Sequence, residues 1–171
     1  FAEVHRAGQT YHRTLQSRIS DAIYANDFGS LNDASTASNT TILQNAINAA
    51  AGQGGGTVHL PPGTIPFTSL SLPADVILQG FSRDATVLRS TLADKVITLE
   101  GDNAGFDSLT LDGVGLVAGS IGIYAKAIDN LYARQFLIKR FNTGLLAHGG
   151  SHWKFEQVYI ENCSFNFRGL G

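Results

Sequence analysis

The sequence predicts an all-β fold in which short strands stack as the coils of a parallel solenoid behind one capping α-helix. Short apolar runs recur between residues 76 and 160, and turns that carry Gly, Asn or Asp separate them. Val76 and Val96 lie 20 residues apart, and Ile138 and Ile160 lie 22 apart. A single coil cannot bury its inward side chains, so a repeat of this length predicts coils that share one apolar column.

The capping helix is predicted over residues 40–52. Apolar side chains recur there at helical spacing on one face: Ile42, Leu43, Ala46, Ile47 and Ala50. Asn39 or Thr40 is expected to cap the start of the helix, and Gly52 is expected to end it. Three glycines at 54–56 break the periodicity, and a short strand then leads to the turn at 61–63. A helix in this place is predicted to close one end of the β structure.

The order of these elements resembles a known family. The helix is followed by G-G-G-T-V-x-L-P-P-G at 54–63 and by L-P-x-x-V-x-L-x-G at 72–80. This order resembles the opening of the pectate-lyase-like right-handed parallel β-helix family, which includes polysaccharide lyases, glycosidases and bacteriophage tailspikes. The resemblance covers residues 25–171 and implies a right-handed parallel β-helix. It predicts the fold and not the reaction, because one fold carries many chemistries.

Residues 1–29 are predicted to form a short helical neck. Leu15, Ile19, Ala22 and Ile23 line one face of a short helix, although an ordinary amphipathic helix packed on its own domain has the same pattern. The run at 12–19, followed by Asp27-Phe28-Gly29, resembles a segment that joins a virion-binding head to a trimeric spike in phage tail proteins. This resemblance implies a homotrimer in the virion, with a phage tail or baseplate protein bound on the N-terminal side.

The chain is therefore divided into three parts. Residues 1–29 are the neck, 30–63 are the N-terminal cap, and 64–171 are the first coils of a β-helix that is expected to continue in a longer polypeptide. An antiparallel sandwich or jelly roll also has short strands and turns. Asp112-Gly113 is the only Asn-Gly or Asp-Gly hairpin signal in the sequence, which favours the parallel solenoid.

Composition excludes several classes of protein. The 171 residues carry a net charge of -2, which provides no basic surface for nucleic acid. No apolar run has the length that membrane insertion requires. The lone Cys163 rules out an internal disulfide framework. No cofactor is expected, and no metal site either, because the pair His148 and His152 lies across a Gly-Gly turn.

Carboxylates on an outward face are the groups that cleavage of a polysaccharide requires in this fold. The acidic residues near strands are Glu100, Asp107, Asp112, Asp129, Glu156 and Glu161. Stacked coils place equivalent positions about 4.8 Å apart, so carboxylates one or two coils apart can form a pair. We take Asp112, Glu156 and Glu161 as the catalytic candidates. Solvated carboxylates at turns are the competing interpretation.

The carbohydrate-binding candidates are His148, His152 and Trp153, which flank the Gly149-Gly150 turn. An aromatic ring can stack on the face of a sugar, and a histidine can act as a base. The alternative is that Trp153 is a hydrophobic residue that covers the turn.

The resemblance implies a phage tailspike-like receptor-binding protein. Its ligand would be a bacterial surface polysaccharide, either capsule or O-antigen, which the intact protein would depolymerise. The first alternative is a secreted, monomeric, pectate-lyase-like enzyme that acts on a uronate polymer. The second is a structural tail protein without catalysis. The segment at 1–29 favours the tailspike interpretation, and the sequence leaves open whether the reaction is hydrolysis, elimination or neither.

Overall fold

The computed structural model describes residues 4–6, 9–11, 22–31, 35–90 and 92–170. Over residues 56–170 these form a parallel β-solenoid of five coils, with one α-helix at its N-terminal end. Every described strand pair within residues 23–170 is parallel. The prediction of an all-β parallel solenoid with a capping helix is confirmed, and the jelly roll is excluded.

The elements before the coils are short strands and the helix. They are β1 (Val4–Arg6), β2 (Gln9–Tyr11), β3 (Ile23–Tyr24), a 3₁₀ turn (Ala25–Phe28) and α1 (Thr36–Gly52). The first two coils have three strands each: β4 (Gly56–His59), β5 (Gly63–Pro66), β6 (Leu70–Leu72), β7 (Val76–Gln79), β8 (Thr86–Arg89) and β9 (Lys95–Leu99). The last three coils have two longer strands each: β10 (Gly105–Asp112), β11 (Ile121–Lys126), β12 (Tyr132–Lys139), β13 (Thr143–His148), β14 (Lys154–Glu161) and β15 (Phe165–Leu170).

The coils build three faces. Face A stacks β3, β4, β7 and the first halves of β10, β12 and β14. Face B stacks β5, β8 and the second halves of the same three strands. Face C stacks β6, β9, β11, β13 and β15. The long strands turn from face A to face B at Ser108, Gln135 and Gln157, whose φ angles are 54°, 46° and 53°.

Alternation along each strand sends apolar side chains into a shared core. Leu88, Leu111 and Ile138 stack in one inward column and are fully buried. The rings of Phe106 and Phe136 stack on adjacent coils with their centres 4.9 Å apart. Leu109 and Leu111 of β10 are both buried, so both side chains belong to this core.

The capping helix begins earlier than the sequence predicts. Ser35 caps it, since its hydroxyl accepts a hydrogen bond from the Ser38 amide at 3.3 Å. The two residues expected at the cap instead attach the helix to the first coil. The Asn39 side chain donates to the Pro66 carbonyl at 2.9 Å, and the Thr40 hydroxyl accepts from the Thr68 amide at 2.9 Å. These contacts place α1 over the end of the solenoid core.

Of the residues that the sequence assigns to the helical neck, those described before residue 25 are not helical. Residues 4–6 and 9–11 form the antiparallel pair β1 and β2, and Ile23 belongs to a strand and not to a helix. The reason is pairing: Ile23 lies beside Val58 of β4 and is buried there. Residues 12–21, which carry most of the predicted helix, lie outside the described residues. The division of the chain at 29 and 63 stays a prediction.

Polar side chains stack along the corner between faces C and A. The Asn103 side chain donates to Asp75 at 2.8 Å, and the Asn130 side chain donates to Asn103 at 3.1 Å. All three residues have positive φ angles, at 62°, 59° and 58° for residues 75, 103 and 130. Asn and Asp adopt this conformation more readily than other non-glycine residues. The ladder explains why turns rich in Asn and Asp recur at the period of the coils.

Among the described residues, no helix combines the length and the hydropathy that crossing a membrane requires.

Candidate functional site

Outward side chains of face A form a polar column along the solenoid. In register from β3 to β14 they are Tyr24, His59, Gln79, Asp107, Arg134 and Glu156. Six adjacent strands span about 24 Å at the usual spacing. The column therefore presents aromatic, amide and charged groups in one line, and its length allows contact with several units of a polymer.

Asp107 and Arg134 form the centre of this column. The Arg134 guanidinium donates to both oxygens of Asp107, at 3.2 Å and 2.6 Å, and the Ser108 hydroxyl donates to the same carboxylate at 2.8 Å. Asp107 is only 6% exposed. The hydrogen bonds to the carboxylate raise the pKa of Arg134. Asp107 thus holds a permanent cation in place and is poorly suited to exchange a proton with a substrate.

Glu156 is the more accessible carboxylate of face A. Its Oε1 lies 2.9 Å from Lys154 Nζ, and 44% of its side chain is exposed. The hydrogen bond to Glu156 raises the pKa of Lys154. Glu156 lies two coils from Asp107, about 10 Å between the backbones, with Arg134 between them. Of the three catalytic candidates, Glu156 is the one that shares this surface with several other polar groups.

The structure places Asp112 differently from the prediction. It ends β10 on face B and is 1% exposed, whereas the sequence suggested a solvent-accessible turn. Arg140 donates to both of its oxygens, at 2.7 Å from Nε, and Arg89 Nη2 lies 3.4 Å away.

Burial by itself raises the pKa of the Asp112 carboxyl. Hydrogen bonds from Arg140 and from the Val114 amide, with the charges of Arg140 and Lys139, outweigh that effect and hold the pKa below its usual range. Asp112 is therefore a buried anion that joins adjacent coils. The exposed Glu161 lies two coils further along the same outward column, beyond Lys139.

The loop at residues 80–85, which we call the A/B loop, crosses the edge between faces A and B. The Gly80 amide donates to the Asp107 carbonyl at 2.9 Å, and the Thr110 hydroxyl donates to the Arg83 carbonyl at 2.7 Å. The Thr86 hydroxyl accepts from the Phe81 amide at 2.9 Å and donates to the Pro61 carbonyl at 3.0 Å. These bonds fix the loop at its two ends and at its centre.

A polar cleft lies between the A/B loop and the last two coils. It has a volume of about 220 Å³, and we call it the Arg83 cleft. Its lining residues are Ser82, Arg83, Asp84, Gln135 and Gln157. The Arg83 guanidinium lies 5.0 Å from the ring centre of Tyr159 and 3.5 Å from the Asp84 carboxylate. Two amides, a cation, a carboxylate and an aromatic ring are groups that recognise a ligand rich in hydroxyls.

The three predicted carbohydrate-binding residues point in three directions. His148 lies on face C, where the centre of its ring is 5.5 Å from the centre of the Tyr124 ring in an edge-to-face arrangement. His152 occupies the corner between faces C and A, with Nδ1 2.7 Å from the Ser151 hydroxyl. The Trp153 indole donates to the Ile128 carbonyl at 2.7 Å and packs against the core. The corner between faces C and A lies between His148 and Trp153, and the direction of the side chains alternates along the chain. The three residues therefore do not form one site.

Sequence reasoning missed the residues of the Arg83 cleft. A signal was available for two of them, since Gln135 and Gln157 lie one coil period of 22 residues apart and precede inward apolar residues. Arg83 had no such signal, because the A/B loop interrupts the repeat.

Among the described residues, no group of three or more His, Cys, Asp or Glu side chains could hold a metal ion.

Comparison with known proteins gives one curated relative. No protein-family model matches the chain. The mannuronan C5-epimerase AlgE6 of Azotobacter vinelandii is 35% identical over an alignment of 104 residues that covers 51% of this chain. The chain spans 12% of the length of that relative.

Solved structures share the fold. A protein of Parabacteroides merdae, provisionally described as a glycosyl hydrolase, has a TM-score of 0.68 and 15% identity over 80% of this chain and 73% of its own. The A-module of AlgE6 has a TM-score of 0.60 and 21% identity over 82% and 49%. ORF18 of Geobacillus virus E2 has a TM-score of 0.58 and 21% identity over 94% and 42%. The chain is therefore a parallel β-helix protein, like these neighbours.

Proposed function

We propose that the chain is a polysaccharide-binding β-helix of the tailspike or tail-fibre type. Its ligand is a bacterial surface polysaccharide, capsule or O-antigen, which binds along face A and the Arg83 cleft. The observation that carries the proposal is the line of outward aromatic, amide and charged groups across all five coils, of which Arg134 and Glu156 are exposed. A polysaccharide offers hydroxyls at the edges of its rings and apolar C–H faces, and such a surface matches both.

The comparisons support a carbohydrate ligand. One neighbour is an epimerase named for mannuronan, and another is provisionally described as a glycosyl hydrolase. The fold shared with a viral protein over 94% of this chain supports a location in a virion. The homotrimer and the tail or baseplate partner on the N-terminal side remain parts of the proposal that rest on the resemblance at residues 1–29.

Glu156 is the catalytic group that we propose for depolymerisation. It is partly exposed, lies on the same surface as Arg134, and has Lys154 within hydrogen-bonding distance. A carboxylate in this setting can exchange a proton with a glycosidic oxygen or with water. Glu161 offers a matched comparison, because it lies on the same strand but on face B.

A second candidate is a secreted enzyme that acts on a uronate polymer. The 35% identity to a mannuronan epimerase favours it. So do the cations Arg83, Arg134 and Lys154, which would attract the carboxylates of uronate residues. The third possibility, a structural tail protein without catalysis, differs from both in leaving polysaccharides intact.

The test is incubation of the protein with capsule, O-antigen and mannuronan preparations, followed by light scattering on the eluted polymer. The tailspike proposal expects binding to capsule or O-antigen and a fall in polymer mass that Glu156→Gln abolishes and Glu161→Gln does not. Action on mannuronan alone would favour the second candidate, and binding without any fall in mass would favour the third. Failure to bind any of the polymers would overturn the proposal. The same instrument measures the mass of the protein, which should be that of a trimer.

A further inference from the structure

A second cleft lies at the N-terminal end of the same edge. It has a volume of about 530 Å³ and opens between the 3₁₀ turn, the turn after β4 and the A/B loop. We call it the Tyr24 cleft. The lining residues that matter here are Tyr24, Asn26, Asp27, His59, Gln79 and Phe81. The A/B loop separates it from the Arg83 cleft, with Phe81 on one side and Arg83 on the other.

Two exposed rings dominate this cleft. Phe81 is 76% exposed and Tyr24 is 50% exposed, although both are large apolar side chains. The Tyr24 ring stacks on His59, with the ring centres 5.0 Å apart and the planes at 26°. Large exposed rings beside polar groups are a common mark of a binding surface. Flat apolar faces of this kind suit the C–H face of a pyranose ring.

The cleft is built before any ligand arrives. Gly29 closes the 3₁₀ turn with φ at 149°, and a Cβ at that position would lie 2.7 Å from Ile42 Cδ1 of the capping helix. The turn is therefore packed directly on α1. On the opposite side, the hydrogen bond from the Phe81 amide to Thr86 holds the start of the A/B loop. A rigid cleft loses little conformational entropy when a ligand binds.

The charge of the Tyr24 cleft differs from that of the Arg83 cleft. Of the described residues that line it, Asp27 carries a carboxylate and none is Lys or Arg. The amides of Asn26 and Gln79 supply both donors and acceptors for hydroxyl groups. A uronate would meet repulsion from Asp27 without a Lys or Arg among the lining residues to balance it, whereas a neutral sugar would meet no such repulsion.

We infer that the Tyr24 cleft is a second glycan-binding subsite, specific for a neutral pyranose that stacks on Phe81 and Tyr24. Its participation in holding a bacterial polysaccharide rests on the proposed function, but binding of a neutral oligosaccharide does not. A chain long enough to reach both clefts gains avidity, since the second contact is intramolecular.

The experiment is a titration of the whole chain with a panel of neutral hexasaccharides, namely 1,4-linked glucose in α and β forms and 1,4-linked mannose. Hexameric oligomannuronate serves as the acidic comparison. Ring resonances of Tyr24 and Phe81 are followed by NMR. We expect at least one neutral hexasaccharide to shift both rings, and oligomannuronate to shift neither. Phe81→Ala should weaken the binding about two- to ten-fold, the range expected for loss of one stacked ring.

Two controls separate this inference from the proposed function. Leu116→Ala removes another exposed apolar side chain, in the loop between β10 and β11, and should leave the affinity unchanged. Arg83→Gln changes the other cleft, and its effect is measured on binding of the bacterial polysaccharide and not on the neutral hexasaccharides. No shift with any neutral hexasaccharide, or an unaltered affinity in Phe81→Ala, would overturn the inference. The proposed function does not depend on that outcome. It would still be supported if Arg83→Gln weakened the binding of the bacterial polysaccharide.

Discussion

The guanidinium of Arg83 lies 5.0 Å from the ring centre of Tyr159, although the two residues belong to the second and the fifth coil. The A/B loop makes this contact possible because the Thr110 hydroxyl holds the Arg83 carbonyl against face B. One wall of the Arg83 cleft therefore comes from the loop and the other from the last two coils. The polysaccharide binding that we propose for this cleft requires both walls.

Replacement of Tyr159 tests the Arg83 cleft. Tyr159→Ala should weaken polysaccharide binding about two- to ten-fold, because it removes the ring that positions the Arg83 guanidinium. Tyr159→Phe keeps the ring and should bind nearly as well. Tyr124→Ala on face C is a matched control, since Lys95 Nζ lies 4.2 Å from the centre of that ring. Equal losses in Tyr124→Ala and Tyr159→Ala, measured by isothermal titration, would contradict a site at the A/B edge.

Asp112→Asn should destabilise the fold. The substitution removes a buried anion that Arg140 and Arg89 contact, and both cations are left without it. Because the arginine side chains are about 40% exposed, water compensates in part, and we expect a loss of about 1–3 kcal/mol in the free energy of unfolding. Glu161→Gln, on the same outward column, should change the free energy of unfolding by less than about 0.5 kcal/mol. Urea denaturation of both variants measures the difference.

Asp112 should also make stability depend on pH in the acid range. Its pKa is lowered in the folded protein, while the unfolded chain has the ordinary value of about 3.9. Between the two values the unfolded state binds more protons, so stability rises with pH there. The contribution is complete above about pH 5 and is lost as the pH falls through the folded pKa. Urea titrations from pH 7 to pH 3 should show the stability difference between wild type and Asp112→Asn shrinking at the acid end; a constant difference would refute the assignment.

Gly80→Ala should displace the start of the A/B loop. A Cβ at this position would collide with the Ser108 carbonyl and would lie 2.8 Å from Leu109 Cβ, in the wall of the third coil. We expect a loss of about 1–3 kcal/mol, the usual cost of overpacking. Gly52→Ala, at the last residue of α1, meets no atom within 4 Å.

Gly52→Ala should therefore be neutral or stabilising by up to about 1 kcal/mol, because alanine favours a helix. Thermal unfolding compares the two variants. A Gly80→Ala protein as stable as wild type would mean that the close approach of the loop to the third coil is not required.

Sequence patterns predicted the helix and the strands well where the spacing of apolar residues decides the structure. The apolar face of α1 and the inward column through Leu111 follow from spacing alone. The start of the helix was placed too late because Thr36, Ala37 and Ser38 carry no strong apolar signal. Asn39 and Thr40 resemble capping residues in sequence, but they hydrogen-bond to a coil that follows 27 or 28 residues later.

The candidate site was predictable only in part. Glu156 was one of six acidic residues near strands and stays a predicted catalytic residue. Arg83 could not be predicted, since the path of its loop depends on a hydrogen bond across 27 residues. The direction of Trp153 was left open between two interpretations for a related reason. The residue after a corner can point outward or inward, and the hydrogen bond of its indole to Ile128 directs it to the core.

The sequence by itself determined that this chain winds into parallel coils, because alternation and the repeated turns are properties of neighbouring residues. Only the tertiary structure decided which outward groups meet. Adjacent coils differ in length, with 27 residues between Tyr132 and its partner Gly105 but 22 between Tyr132 and Lys154. The register between coils therefore cannot be read from a constant period. Burial of the inward column sets that register, and the register brings Arg134 to Asp107 and the two glutamines to the A/B loop.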